Sequence, residues 1–116
     1  MSDAAAAVRE HIAAFNAHST ERLLAGFAAD AVWRTGADVF EGEAGLAHLF
    51  DPWLWTLSPS LTLGNLVAEG SRVAVQLVEE LTVDGELQRM DIAVFFEIRD
   101  GKIVSAKVYR EGSADL

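Results

Sequence analysis

Apolar residues recur at helical spacing near the start of the chain and at alternate positions through its second half. In AAAAVREHIAAFNA, residues 4–17, Val8, Ile12 and Phe15 fall on one side of a helix. Ser19 suits the N-cap of a second, short helix over TERLLAGFAAD, residues 20–30. AVWRTG then reads as a short strand stopped at Gly36, and DVFEG as another. A third helix is predicted over EAGLAHLFDPWLWTL, residues 43–57, with Leu46, Leu49 and Phe50 on one side. Pro52 falls near its end or kinks it.

After Pro59 the period changes. SLTLGNLVAEG, SRVAVQLVEELTVDG, ELQRMDIAVFFEIRDG and KIVSAKVYREG are β-rich and are punctuated by Gly70, Gly85 and Gly101. Asp84-Gly85 and Asp100-Gly101 are hairpin signals, because both central residues of the tightest hairpin turn need positive φ. The four segments predict an antiparallel meander of long strands. Helices first and strands afterwards give an α+β fold, a curved sheet with helices on one face.

Length and composition narrow this further. The chain has 116 residues, which suits one domain over residues 1–116. It contains no cysteine, so disulfides, thiolate metal sites and cysteine nucleophiles are excluded. The start, MSDAAAAVREH, lacks a basic leader followed by an apolar core, and no apolar run approaches the roughly 20 residues of a membrane span. A soluble cytoplasmic protein is expected. The net charge of −9, from 18 acids against 9 Lys and Arg, repels phosphate backbones and anionic lipid, so neither nucleic acid nor membrane is an expected partner. A hydrophobic fraction of 51% leaves room for a large core, an apolar pocket or a subunit interface.

One stretch breaks its own pattern. VAVQLVEELTV, residues 73–83, alternates like a strand, yet carries Glu79 and Glu80 side by side. Side chains on a strand alternate between its faces, so adjacent carboxylates cannot share one. If one face is buried, one acid goes into it.

The order of elements resembles that of the SnoaL-like and ketosteroid-isomerase-like proteins of the nuclear transport factor two superfamily. AAFNAHSTERLLAGFAADAVW is similar to that family's first helix, small-residue turn, second helix and first strand. FFEIRDGKIVSAKVY is similar to its penultimate strand, DGKI turn and last strand. The resemblance implies a cone-shaped α+β barrel: a curved, mainly antiparallel sheet with three N-terminal helices. It also implies a deep apolar pocket between the concave face and the helices, and a convex face that packs on a second subunit. Such a fold hosts isomerases, dehydratases, epoxide hydrolases, cyclases and non-catalytic members, so it does not fix the activity.

Carried over residue by residue, the known catalytic patterns are not kept. The isomerases' oxyanion-binding tyrosine falls on His11, their catalytic aspartate near Thr35, and their protonated aspartate on Val94. Asp38 lies three residues past Thr35 and would substitute only if the loop refolded. The limonene-epoxide-hydrolase pattern needs Asp-Arg-Asp. Val108 stands where one aspartate belongs, and Arg89-Met90-Asp91 falls one strand late.

What the resemblance does imply is a register. Val75, Leu77, Glu79 and Leu81 point into the cone, as do Met90, Ile92, Val94 and Phe96 on the next strand and Ala106, Val108 and Arg110 on the last. Glu80, Arg89, Asp91, Phe95, Lys107, Tyr109 and Glu111 point outward. Glu79 is then the inward acid, and an acid on an apolar face is a local conflict of the kind that marks functional sites. Desolvation raises its pKa and suits it to acid–base work near neutral pH. His11 and Arg110 are its candidate partners and complete the candidate catalytic set. The alternatives are a purely structural pairing of Glu79 with Arg110 or His11, and a one-residue slip that sends Glu80 inward instead.

The candidate pocket lining is aromatic and aliphatic: Phe15, Phe27, Trp33, Phe50, Trp53 and Trp55 from the first half, then Leu77, Met90, Val94 and Val108 from the meander, with Thr35. Aromatic walls suit an apolar or ring-bearing ligand, while ordinary packing is the other reading of the tryptophans. His18 and His48 read as surface residues. No histidine pair has metal-ligand spacing with an acid, so neither metal nor cofactor is expected. Phe95 and Tyr109 with Val78 and Ala93, ringed by charges of both signs, suit an isologous homodimer interface, the other reading being an ordinary sheet face partly covered by the C-terminal tail. Three functions stay open: a cofactor-free isomerase, hydrolase, dehydratase or cyclase for a small apolar metabolite; a non-catalytic binding protein with the same pocket; and a dimeric interaction module with a collapsed pocket.

Overall fold

A computed structural model describes residues 3–110. Glu111, expected on the outer face, lies outside them. The elements run α1 (Asp3–Asn16), α2 (Thr20–Ala25), β1 (Phe27–Thr35), β2 (Asp38–Glu41), α3 (Gly42–Leu49), a 3-10 helix (Pro52–Leu57), then β3 (Ser60–Glu69), β4 (Arg72–Val83), β5 (Glu86–Arg99) and β6 (Lys102–Arg110). The six strands form one mixed, curved sheet in the order β2-β1-β6-β5-β4-β3. It wraps one face around the helices without closing, since β2 and β3 remain edges.

The meander follows the hairpin signals. Asp84 and Gly85 take φ of 52° and 80°, and Asp100 and Gly101 take 54° and 75°. These are the left-handed pairs a two-residue turn demands. They fix the pairing of Glu79 with Met90, Leu77 with Ile92, Val75 with Val94 and Val73 with Phe96. β6 continues the rows, with Arg110 beside Ile92, Val108 beside Val94 and Ala106 beside Phe96. β1 runs parallel to β6 and adds Trp33 beside Ala106 and Thr35 beside Val108.

Two boundaries differ from the sequence expectation, each for a local reason. The second helix stops at Ala25, where the Gly26 N–H bonds back to the Leu23 and Leu24 carbonyls. From Phe27 the chain joins the sheet instead, with Phe27 opposite Ile103 and the Ile103 N–H bonded to the Gly26 carbonyl. The third helix does not continue to Leu57. Phe50 ends it, Asp51 caps the Trp53 N–H, and Pro52 opens a separate 3-10 helix, where its missing N–H costs nothing.

The core lies between the concave face and α1. Val8, Ile12 and Phe15 of α1 are buried against Val73, Val75, Leu77, Val94, Phe96 and Val108. The side chains Asn16, His18 and Thr20, at the junction of α1 and α2, hold the segment that follows α3. Asn16 brackets Leu61 with two bonds, Nδ2 to its carbonyl at 2.9 Å and its N–H to Oδ1 at 2.8 Å. Thr20 Oγ1 donates to the Phe50 carbonyl at 2.6 Å and accepts from Trp55 Nε1 at 3.0 Å. His18 Nε2 lies 2.9 Å from the Pro59 carbonyl.

Candidate functional site

The concave face carries four rows of inward side chains, roughly 7 Å apart because each row is two residues along a strand. The first is Trp33, Ala106, Phe96 and Val73, and the second is Thr35, Val108, Val94 and Val75. The third is Arg110, Ile92 and Leu77, and the fourth is Met90, Glu79 and Leu61. Between these rows and the helices lies a cavity of about 220 Å³. Its wall is mainly apolar. Polar groups enter at four points: His11, Thr35, Arg110 and Glu79.

Glu79 points inward and Glu80 outward, since Glu79 shares its face with buried Val75 and Leu77. Its side chain is only 14% exposed, and among the described residues Oε1 has no hydrogen-bond partner. Arg110 Nη2 stands 3.8 Å from that oxygen, an ion-pair distance but not a hydrogen bond. Burial raises the Glu79 pKa above the usual carboxylate value, and the positive charge of Arg110 offsets part of the rise. Arg110, 35% exposed, reaches water at the rim, and its Nη1 donates to Thr35 Oγ1 at 2.5 Å.

His11 sits at the other end, against the first row. Its ring contacts Phe27, Trp33, Phe50 and Phe96 at centroid distances of 5.7, 5.5, 5.9 and 5.7 Å. It is 6% exposed, and Nδ1 has no hydrogen-bond partner among the described residues. Burial lowers its pKa to about 4, so the ring is neutral at physiological pH. A neutral imidazole donates or accepts a hydrogen bond but cannot supply a positive charge, which leaves Arg110 as the cation on the cavity wall among the described residues. His11 and Glu79 do not pair.

Of the expected lining residues, Phe15, Trp33, Thr35, Phe50, Leu77, Met90, Val94 and Val108 face the cavity. Three do not. Trp53 is 66% exposed, because the 3-10 turn after Pro52 rotates it to solvent. Trp55 faces away: it stacks on His18 at 5.0 Å, meets the edge of Phe15 and donates to Thr20. Phe27 is buried behind the wall, in the aromatic cage around His11. The 3-10 segment contributes Leu54 instead, and β3 contributes Leu61. Neither carries a sequence signal, since each depends on how the segment after Phe50 docks. Ile92 and Phe96 also line the cavity, and the alternation of β5 already places them inward. Among the described residues no group of three His, Asp or Glu could hold a metal ion.

On the convex face Phe95 is 57% and Tyr109 37% exposed, in edge-to-face contact at 5.9 Å. Lys107 Nζ lies 5.5 Å over the Tyr109 ring. Among the described residues no helix is long and apolar enough to cross a membrane.

A curved, open sheet wrapped around three helices is the fold of ketosteroid-isomerase-like and nuclear-transport-factor-two-like α+β proteins. Within that class, a model of the SnoaL-like domain matches residues 8–106, and the chain belongs to the SnoaL-like domain family. Comparison with curated protein sequences gives no match. Solved structures share the fold. TerC, co-crystallised with polyporic acid, superposes with a TM-score of 0.85 at 22% identity over 97% of this chain and 95% of that one. SalBIII, an epoxide hydrolase/cyclase-like enzyme of pyran ring formation in the polyether salinomycin, gives 0.86 at 24% identity over 95% and 92%. An LEH-like epoxide hydrolase of M. tuberculosis gives 0.86 at 19% identity over 95% and 84%.

Proposed function

We propose that the chain binds a small, largely apolar, oxygen-bearing molecule in the cone and moves a proton on it without a cofactor, as an isomerase, hydrolase or cyclase. The observation that carries this reading is Glu79, a nearly buried carboxyl on an apolar cavity wall whose ionisation is held back by burial. A carboxyl whose pKa is raised gives up its proton less readily and takes one back more readily than an ordinary carboxylate, which suits it to acid–base work. Arg110 is close enough to balance the charge that either step creates. The neutral His11 supplies a hydrogen-bonding point at the other end. A cavity of about 220 Å³ is smaller than the usual range for drug-sized ligands, which points to a compact ring or short chain. The epoxide hydrolase and cyclase-like relatives make epoxides the first probes to try, followed by enones and lactones.

The test is to incubate the protein with these probes in D2O and follow ring opening, double-bond migration and deuterium uptake by NMR. Turnover that Glu79→Gln abolishes supports the reading. Turnover unchanged in Glu79→Gln overturns the role of Glu79. Binding without chemistry favours the second reading, a carrier in which the ion pair between Glu79 and Arg110 only neutralises a buried charge.

The same reading includes a homodimer through the convex face. The exposed Phe95 and Tyr109, flanked by Arg89, Asp91 and Lys107, offer an apolar centre with charges of both signs around it, as a self-complementary contact requires.

A further inference from the structure

Resting on the cavity-binding reading above, we infer that Thr35 is the group that holds the substrate oxygen, a hydroxyl polarised by Arg110 and aimed at a proton-free acceptor: a ketone, enone, lactone or epoxide. Thr35 closes β1, in the second row of the concave face, and its side chain lines the cavity. Arg110 comes from the next row of the neighbouring parallel strand and donates Nη1 to Thr35 Oγ1 at 2.5 Å. A guanidinium has donors and no acceptor, so Thr35 must be the acceptor in this bond. Its own proton is therefore directed elsewhere. Among the described residues no acceptor receives it, and the cavity is the polar-poor space it faces.

The consequence is chemical. A hydroxyl that accepts from a cation is a stronger donor than an isolated one, because hydrogen bonds in a chain polarise one another. It is suited to an oxygen that gains negative charge. The cavity wall beside it disfavours a cationic ligand. An ammonium group would meet Arg110 as a like charge and has no lone pair to accept the Thr35 proton. Arg110 also spans the gap to Glu79, with Nη2 3.8 Å from Oε1. Oxygen site and proton-transfer site thus lie within the reach of one guanidinium, on different atoms of the ligand. For an enone the step balances without a co-reactant. Glu79 takes a proton from carbon, the electron pair moves into the carbonyl oxygen held by Thr35, and the same proton returns at a different carbon as the oxygen gives the pair back.

The experiment uses acetophenone labelled with carbon-13 at the carbonyl, read by isotope-edited infrared spectroscopy and by calorimetric titration, with cyclohexenone as a second probe. The expected result is a carbonyl band shifted to lower wavenumber on binding to the wild type, to Thr35→Ser and to Glu79→Gln. In Thr35→Val the shift is lost and affinity falls about tenfold, the effect of one hydrogen bond. Thr35→Ala gives the same loss of shift and replaces the valine variant if that one does not fold. Probe that binds the wild type with a band unmoved by loss of the hydroxyl overturns the assignment of Thr35 and leaves cavity binding standing. Failure of both probes to bind the wild type overturns the cavity reading and this assignment together.

Discussion

Arg110 holds two partners at once: its Nη1 is 2.5 Å from Thr35 Oγ1, and its Nη2 is 3.8 Å from Glu79 Oε1. The second contact is attractive but leaves the buried carboxylate oxygen without a hydrogen bond among the described residues. Desolvation therefore outweighs attraction, and the Glu79 pKa is raised. A carboxyl raised in the folded state favours folding while it is protonated. That contribution is complete below the unfolded value and is lost as pH rises through the folded one. Glu79→Gln has no such loss. Denaturant melts of the two proteins are expected to show the variant gaining on the wild type as pH rises through and above the ordinary carboxylate range. A difference that stays constant over that window would show that Glu79 titrates in the fold as it does in water.

Removing the cation should move Glu79 further in the same direction. Arg110 is what holds the carboxyl down, so Arg110→Met is expected to raise its pKa above the wild-type value. Carbon-13 NMR titration of labelled glutamate side chains reads this directly. The Thr35 hydroxyl also loses its donor, so the same substitution is expected to weaken binding of a carbonyl probe.

Much of this site is legible in the sequence, and the boundary of that legibility is physical. Period-2 alternation and two Asp-Gly turns fix the parity of β4 and β5, and parity alone separates Glu79 from Glu80. The same parity on β6 brings Arg110 inward. What the pattern cannot carry is the path of the chain between Phe50 and Leu61. There the outcome depends on side-chain bonds from a distant junction, those of Asn16, His18 and Thr20. The turn they stabilise sends Trp53 to solvent and Trp55 onto His18. Phe27 illustrates a different limit. Helical spacing continues through FAAD, but pairing with Ile103 offers that backbone a sheet, and tertiary hydrogen bonding overrides local preference. The state of His11 is also invisible to spacing, because its neutrality comes from four aromatic rings brought together from β1, the end of α3 and β5.

That neutrality has a cost in acid. The folded pKa of His11 is lowered to about 4 from 6.5, so the unfolded chain binds a proton first as pH falls. Stability is retained above the unfolded value and lost progressively down to the folded one. The full loss is roughly 3 kcal/mol, from about 1.4 kcal/mol per pK unit. His11→Phe keeps a ring in the cage, removes the unpartnered Nδ1 and abolishes the titration. It is expected to be more stable than the wild type by about 1 kcal/mol at neutral pH, and by more near pH 5. Melting curves at the two pH values check this, and a variant less stable at both would mean that hydrogen bonds to the ring nitrogens hold the fold.

The convex face gives a prediction about assembly. Phe95 is 57% exposed at the centre of the patch, where a dimer of the proposed kind would bury it. Phe95→Glu places a carboxylate against its own symmetry mate and is expected to shift the protein from dimer to monomer in sedimentation equilibrium. The fold should change little, since the side chain makes one ring contact, with Tyr109. A wild type that sediments as a monomer at all accessible concentrations would remove the dimer.

The junction of α1 and α2 makes a prediction about the cavity wall that sequence spacing does not suggest. Asn16 satisfies both backbone groups of Leu61, and Leu61 is 8% exposed and lines the cavity beside Glu79. Asn16→Ala leaves a buried N–H and carbonyl without partners, at a cost of about 2–3 kcal/mol. Its effect should be local before it is global. The Leu61 amide is expected to exchange faster with solvent by more than the overall loss of stability requires, while amides at the centre of β4 and β5, such as Val75 and Val94, slow or quicken only with global stability. If Asn16 merely adds to overall stability, all these amides will shift by the same free energy. If it fastens the wall, Leu61 and the following residues of β3 will open first, and ligand affinity will fall with them.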